Sequence, residues 1–277
     1  MKISRFVSFG LSTVCAVFLA MPAAAQTTYS FATGGNCDAP NATSSCAVAG
    51  SSTVADTLRY SGWGASSGAN FAAAPVTEQN ASGIGMNSDG SGSPNHAIDN
   101  SGKLESLLLN FEGNKVVLTG LAAGWYQDDA DVAILRWVGA DTGPTMTSIQ
   151  DFRGRSAASI LADGWQLMST QDLDEGDCCS PYYNNTNITV SAANASSWWL
   201  VSSYYGAAGS NASAGIGDHT ADYFKLQSVK ATCVSANHGG ACNTDPPSNG
   251  TPEPATLALV GLALAGAGMT RRKLRKA

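Results

Sequence analysis

From residue 103 onward the chain places its apolar residues in short runs, each closed by a turn-forming cluster. Leu104, Leu107 and Leu109 form one run, Val116, Val117 and Leu118 the next, and Val132, Ile134, Leu135 and Trp137 a third. Glu112-Gly113-Asn114 and residues 127–130 separate them. Residues 131–138 alternate well enough to predict a half-buried strand. Segments 187–190, 197–205 and 223–229 continue the series. One helical candidate, residues 148–162, fits an amphipathic face only loosely, and it reads equally as two short strands flanking Arg153-Gly154-Arg155. Short strands at punctuated intervals, without alternating helices, predict an all-β fold: an antiparallel β-sandwich of jelly-roll-like form.

Residues 26–100 are rich in Gly, Ala, Ser and Asn. A strand is expected over 53–60, with loops over 61–70 and 88–94. Residues 235–251, which include Asp245-Pro246-Pro247 and Asn249-Gly250, read as a flexible linker.

The two ends differ from this body. Lys2 and Arg5 precede an apolar run over 6–21, and Ala23-Ala24-Ala25 closes it. A positive start, a short apolar stretch and small residues describe a secretory signal helix, cleaved after Ala25. At the other end an apolar stretch over 255–270 runs into Arg271, Arg272, Lys273, Arg275 and Lys276. Cations directly behind an apolar helix stop its transfer and remain cytoplasmic. That stretch is 16 residues long and made largely of Ala, Gly and Leu, below the ~20 residues of a spanning helix. It suits a transient holder at the inner membrane better than a permanent anchor.

Removing both ends changes the charge. The whole chain carries 15 Lys and Arg against 21 Asp and Glu; residues 26–250 keep eight against twenty, a net of about −12 rather than −6. Phosphate contacts need clustered cations, so nucleic acid is excluded as a partner. Divalent cations and neutral sugars suit such a surface better.

Cys15 leaves with the signal, and six cysteines remain. An even number in an exported chain reads as disulfides. Cys37 with Cys46 and Cys233 with Cys242 share one spacing and are the candidate local bridges; Cys178 and Cys179 stay unassigned among 15 connectivities.

Three groups of residues carry possible chemistry. Asp128, Asp129 and Asp131 cluster in a turn beside Trp125 and Tyr126, where oxygen ligands next to aromatic rings would make a calcium-supported sugar site. Asp is equally a turn former, and the Trp equally a core residue. Trp198-Trp199 and Tyr204-Tyr205 offer an aromatic platform, although one of each adjacent pair in a strand faces inward. Gly64-Ala65-Ser66-Ser67-Gly68, with Asp218-His219 downstream, has the spacing of a hydrolase elbow but lacks the α/β context that elbow needs. No catalytic residue is assigned.

Pro252-Glu253-Pro254, the short apolar helix and the terminal basic cluster, in that order, resemble the PEP-CTERM sorting signal of Gram-negative bacteria. The resemblance implies recognition by an exosortase, a membrane-embedded cysteine transpeptidase that cuts near the motif. The body also resembles exosortase-dependent surface proteins, on His96-Ala97-Ile98-Asp99-Asn100, on residues 107–111, on Gly124-Trp125-Tyr126-Gln127-Asp128-Asp129-Ala130-Asp131, and on Asp222-Tyr223-Phe224-Lys225-Leu226. That resemblance implies a secreted β-rich domain displayed at the surface or in the matrix, and it brings no catalytic residues. The expected organisation is a signal peptide over 1–25, a β-rich domain over 26–234, a linker over 235–250 and a sorting tail over 251–277. The expected partners are the secretion machinery, an exosortase, the inner membrane transiently, and exopolysaccharide.

Overall fold

The computed structural model describes residues 26–31, 46–50, 57–66, 70–88, 96–112, 114–127, 129–139, 156–162, 164–173, 182–203 and 221–236. These residues build two antiparallel sheets. The first half of the chain gives β1 (Gln26–Ser30), β2 (Cys46–Ala49), β3 (Thr57–Ser66), β4 (Ala72–Ala74), β5 (Val76–Glu78), β6 (Ile84–Met86) and β7 (Ile98–Asp99). The second half gives β8 (Lys103–Asn110), β9 (Asn114–Tyr126), β10 (Asp131–Trp137), β11 (Trp165–Asp172), β12 (Tyr182–Asn185), β13 (Trp198–Ser203) and β14 (Tyr223–Ala236). One sheet runs β12-β9-β14-β6-β5, with β1 and β7 also paired to β14. The other runs β11-β10-β13-β8-β3-β2, with β4 on β3. The expected all-β sandwich is the fold observed.

The second sheet explains why its strands read as nearly unbroken apolar runs. On β13, Trp199 and Val201 enter the core between the sheets, while Trp198 and Leu200 enter a separate cluster on the outer face. β10 divides in the same way, Val132 and Ile134 inward and Ala133 and Leu135 outward. β8 sends Leu107 and Leu109 inward and Leu108 outward. Trp63, Ala65, Phe71, Trp165 and Ile160 complete the buried part of the outer cluster; Ile160 lies on α1 (Ala157–Ala162), which packs near β11. A sheet covered on both faces has no polar side to alternate with. The other sheet is more polar outside: Lys115, Thr119, Gln227 and Lys230 are only half-buried.

Isolated pairings tie the two layers at their margins. Tyr29 bridges to Gly50 beside β2, and Val116 on β9 bridges to Ser196 before β13. Ser169 Oγ on β11 donates to the Thr186 carbonyl beyond β12 at 2.9 Å. Trp199 Nε1 donates to the Val116 and Ser196 carbonyls at 3.2 and 3.1 Å, so the buried indole has its polar atom satisfied. Burial pushes the Tyr60 hydroxyl up to about 12, and the charge of Glu78 adds to the effect.

Four expectations need correction. Residues 61–66 are not loop but the second half of β3. A Cβ on Gly62 would stand 2.7 Å from the Ala74 carbonyl oxygen, and one on Gly64 would stand 2.4 Å from Ser88 Cβ. These glycines serve close approach rather than turning. Residues 187–190 form no strand; β12 lies earlier, and Asn187 turns the chain at φ 56°. Of the segment 148–162, α1 takes Ala157–Ala162 and Ser156 before it bridges to Asn70; residues 148–155 lie outside the described part. β14 continues to Ala236, so residues 235 and 236 extend the central ladder.

Two-sided burial makes a clear prediction. Trp198→Ala should cost about 3–5 kcal/mol, as much as Trp199→Ala. Denaturant unfolding of the two variants checks it. A sheet with one solvated face would tolerate one of the two changes.

Candidate functional site

The turn between β9 and β10 is tight: Asp129 N donates to the Gln127 carbonyl at 2.7 Å, and Asp129 Oδ1 accepts from Ala130 N at 2.9 Å. This turn delivers Asp129 and Asp131 to the end of the sandwich. β14 starts at the same place, because Tyr223 N donates to the Asp129 carbonyl at 2.8 Å and Asp129 pairs with Asp222. Asp222 Oδ1 accepts from Asp131 N at 3.1 Å. Its other oxygen accepts from Asn100 Nδ2, and Asn100 Oδ1 accepts in turn from Asp222 N at 2.9 Å. One carboxylate oxygen from each of Asp129, Asp131 and Asp222 lies within 4.8 Å of the others, and all three residues are buried.

More acids border this group. Asp99 Oδ1 accepts from Ser101 N at 2.9 Å, while Glu105 accepts from Ser88 N and Asp99 N at 2.9 and 3.3 Å. Ser203 Oγ donates to the Asp99 carbonyl at 2.8 Å. Main-chain N–H groups and the Asn100 amide therefore hold these carboxylates in place, while the Ser203 hydroxyl holds the Asp99 main chain. Three buried like charges this close are costly unless a proton or a cation offsets them. Carboxylate oxygen is the donor that Ca2+ prefers.

The turn expected from sequence thus supplies two of the three acids; Asp128 lies outside the described residues. The third acid, Asp222, is 91 positions from Asp131, and no local spacing marks the pair. The motifs that carry the resemblance hold the available signal, since Asn100, Asp129, Asp131 and Asp222 belong to them and meet at this end. Trp125 lies on the neighbouring outer face, where Lys225 Nζ sits 4.7 Å from its ring centroid. Lys225 is 4 % exposed, and burial lowers its pKa from the ordinary lysine value.

The other candidates fare differently. Trp198 and Trp199 are both buried, one on each side of their sheet, so neither is a surface platform; Tyr204 and Tyr205 lie outside the described residues. Gly64, Ala65 and Ser66 stand in an antiparallel ladder with β8. That is not the strand-to-helix turn of a hydrolase elbow, and Asp218 and His219 lie outside the described residues. Cys233 on β14 is disulfide-bonded. Its partner is not among the described side chains, and Cys46 shows only its backbone, in β2. Cys37, Cys178, Cys179 and Cys242 lie outside the described residues, as do Ala25, Pro252, Glu253, Pro254, Arg271, Arg272, Lys273, Arg275 and Lys276. Among the described residues no helix is long and apolar enough to cross a membrane.

Comparison with known families decides the meaning of the tail. Residues 251–273 match the PEP-CTERM protein-sorting motif. The chain carries an exosortase sorting signal. It is exported, processed by an exosortase, and destined for the cell surface or the extracellular space. No curated protein and no solved structure matches the chain.

Asp222→Ala should destabilise the fold by about 2–4 kcal/mol, because it strands the Asn100 amide and Asp131 N–H it now satisfies. Asp222→Asn, which retains one acceptor, should cost less. Equilibrium urea unfolding of both variants measures the difference.

Proposed function

We propose that this is a non-enzymatic surface or extracellular-matrix protein of a Gram-negative bacterium, contributing to adhesion, aggregation or biofilm matrix. In this reading it is held briefly at the inner membrane by its tail, an exosortase releases it, and exopolysaccharide is its partner outside the cell. The sorting motif at 251–273 carries the reading. The acidic, β-rich body supports it, since a net charge of about −12 keeps an exported domain soluble and disfavours nucleic acid. Changing Pro252, Glu253 and Pro254 together to Ala should leave the unprocessed chain in the inner-membrane fraction. Unaltered processing and surface display of that variant, followed by immunoblot and surface labelling, would refute the reading.

A second reading, a calcium-supported carbohydrate-binding module, is favoured by one observation, the meeting of Asp129, Asp131 and Asp222. Under it, calcium should raise the melting temperature of the protein, and Asp131→Asn should abolish the rise. Calorimetric titration that gives no heat and no thermal shift with calcium would remove this alternative.

A further inference from the structure

Cleavage after Ala25 would leave no slack between the cut bond and the folded domain. Gln26 is already the first residue of β1; it pairs with Thr232, and Thr27 pairs with Ala231. The Gln26 side chain also donates to Thr119 Oγ1 on β9 at 3.0 Å, and Thr27 is buried. A peptidase commonly holds its substrate as an extended strand in its own groove. The main chain of Gln26 and Thr27 cannot occupy that groove and the β14 ladder together. β14 is the last strand among the described residues, and the partner of Gln26 lies 206 positions downstream. During export, therefore, β1 is still without that partner when the leader bond is first within reach.

The other cut has different geometry. Fifteen residues separate Ala236, the end of β14, from Pro252, and a segment of that length spans up to about 50 Å when extended. That length of chain intervenes between β14 and the motif, whereas none intervenes between the leader bond and β1.

We propose that folding orders the two cuts: leader removal is confined to the interval before β14 joins its sheet, whereas tail removal tolerates the finished fold. Water is added across the Ala25–Gln26 peptide bond, giving a carboxylate on Ala25 and an amine on Gln26. Once β14 is docked, that bond is cut only when the end of β1 frays away from Thr232 and Ala231. A chain that folds before the leader is removed keeps its leader. The proposal rests on cleavage after Ala25, and it is independent of the calcium reading.

The test uses full-length precursor from cells lacking active signal peptidase, purified in detergent and folded, then exposed to purified signal peptidase. A second precursor carries Gln-Thr-Gly-Ser-Gly-Ser between Ala25 and Gln26. It presents the same first two residues to the peptidase and leaves β1 in register. The folded native precursor should be cut about tenfold or more slowly than the spacer precursor, because cutting then tracks the population of the frayed state. In pulse-labelled cells, where export and folding proceed together, both should be cut alike. Equal rates for the two folded precursors would overturn the proposal. N-terminal sequencing of the native product separates the other failure: a start at any residue but Gln26 overturns the cleavage site, and the ordering with it, yet leaves the sorting reading intact.

Discussion

Everything in one half of the sandwich depends on β14. It ladders with β9 along nearly its whole length, from Phe224 opposite Tyr126 to Ala236 opposite Asn114. On its other edge it receives β1, β6 and β7. Four shifts of register interrupt the β9 pairing. Such irregularities bend and twist a strand, and a strand of 14 residues that must follow a twisted sheet accommodates them. Because the last strand among the described residues is also the central one, most pairings in this sheet are long-range. Loop-closure entropy must be met before they form. The domain is thus completed from its C-terminal side, next to the segment that leads to the sorting tail.

The acidic end follows from the same pairing. Asp222 stands at the entry to β14 and Asp131 at the start of β10, and the Asp131 N–H donates to Asp222 across the end of the two layers. Asn100 clamps Asp222 through both atoms of its side-chain amide. The cost of gathering carboxylates here is reduced by main-chain donors, and the same gathering creates the oxygen-rich site on which the calcium reading draws.

How much was legible varies with the physical origin of each feature. The strands β8, β10 and β13 were visible because burial demands apolar side chains, and the turn at Glu112, which carries the chain from β8 in one sheet to β9 in the other, was visible because Glu-Gly-Asn favours turning; Glu112 adopts φ 50° there. The second half of β3 is not legible locally, because Gly62 and Gly64 look like turn residues from sequence, whereas their role is set by Ala74 and Ser88 packed against them. Trp198-Trp199 resembled a surface platform for a related reason. Period-two alternation says that neighbours face opposite sides of a sheet, and it does not say whether the second side is wet.

The sequence by itself determined where the protein goes and what class of fold it has. Motif, apolar stretch and basic cluster are contiguous near the end of the sequence, so their chemistry needs no tertiary structure to be read. The strand pattern is local in the same sense. Tertiary structure alone decided that one sheet is covered on both faces, that Asp222 and Asn100 join the acids of the β9–β10 turn, and that Gln26 lies against Thr232. Each of these joins residues far apart in the chain, and only the long-range pairing of β-strands brings them together.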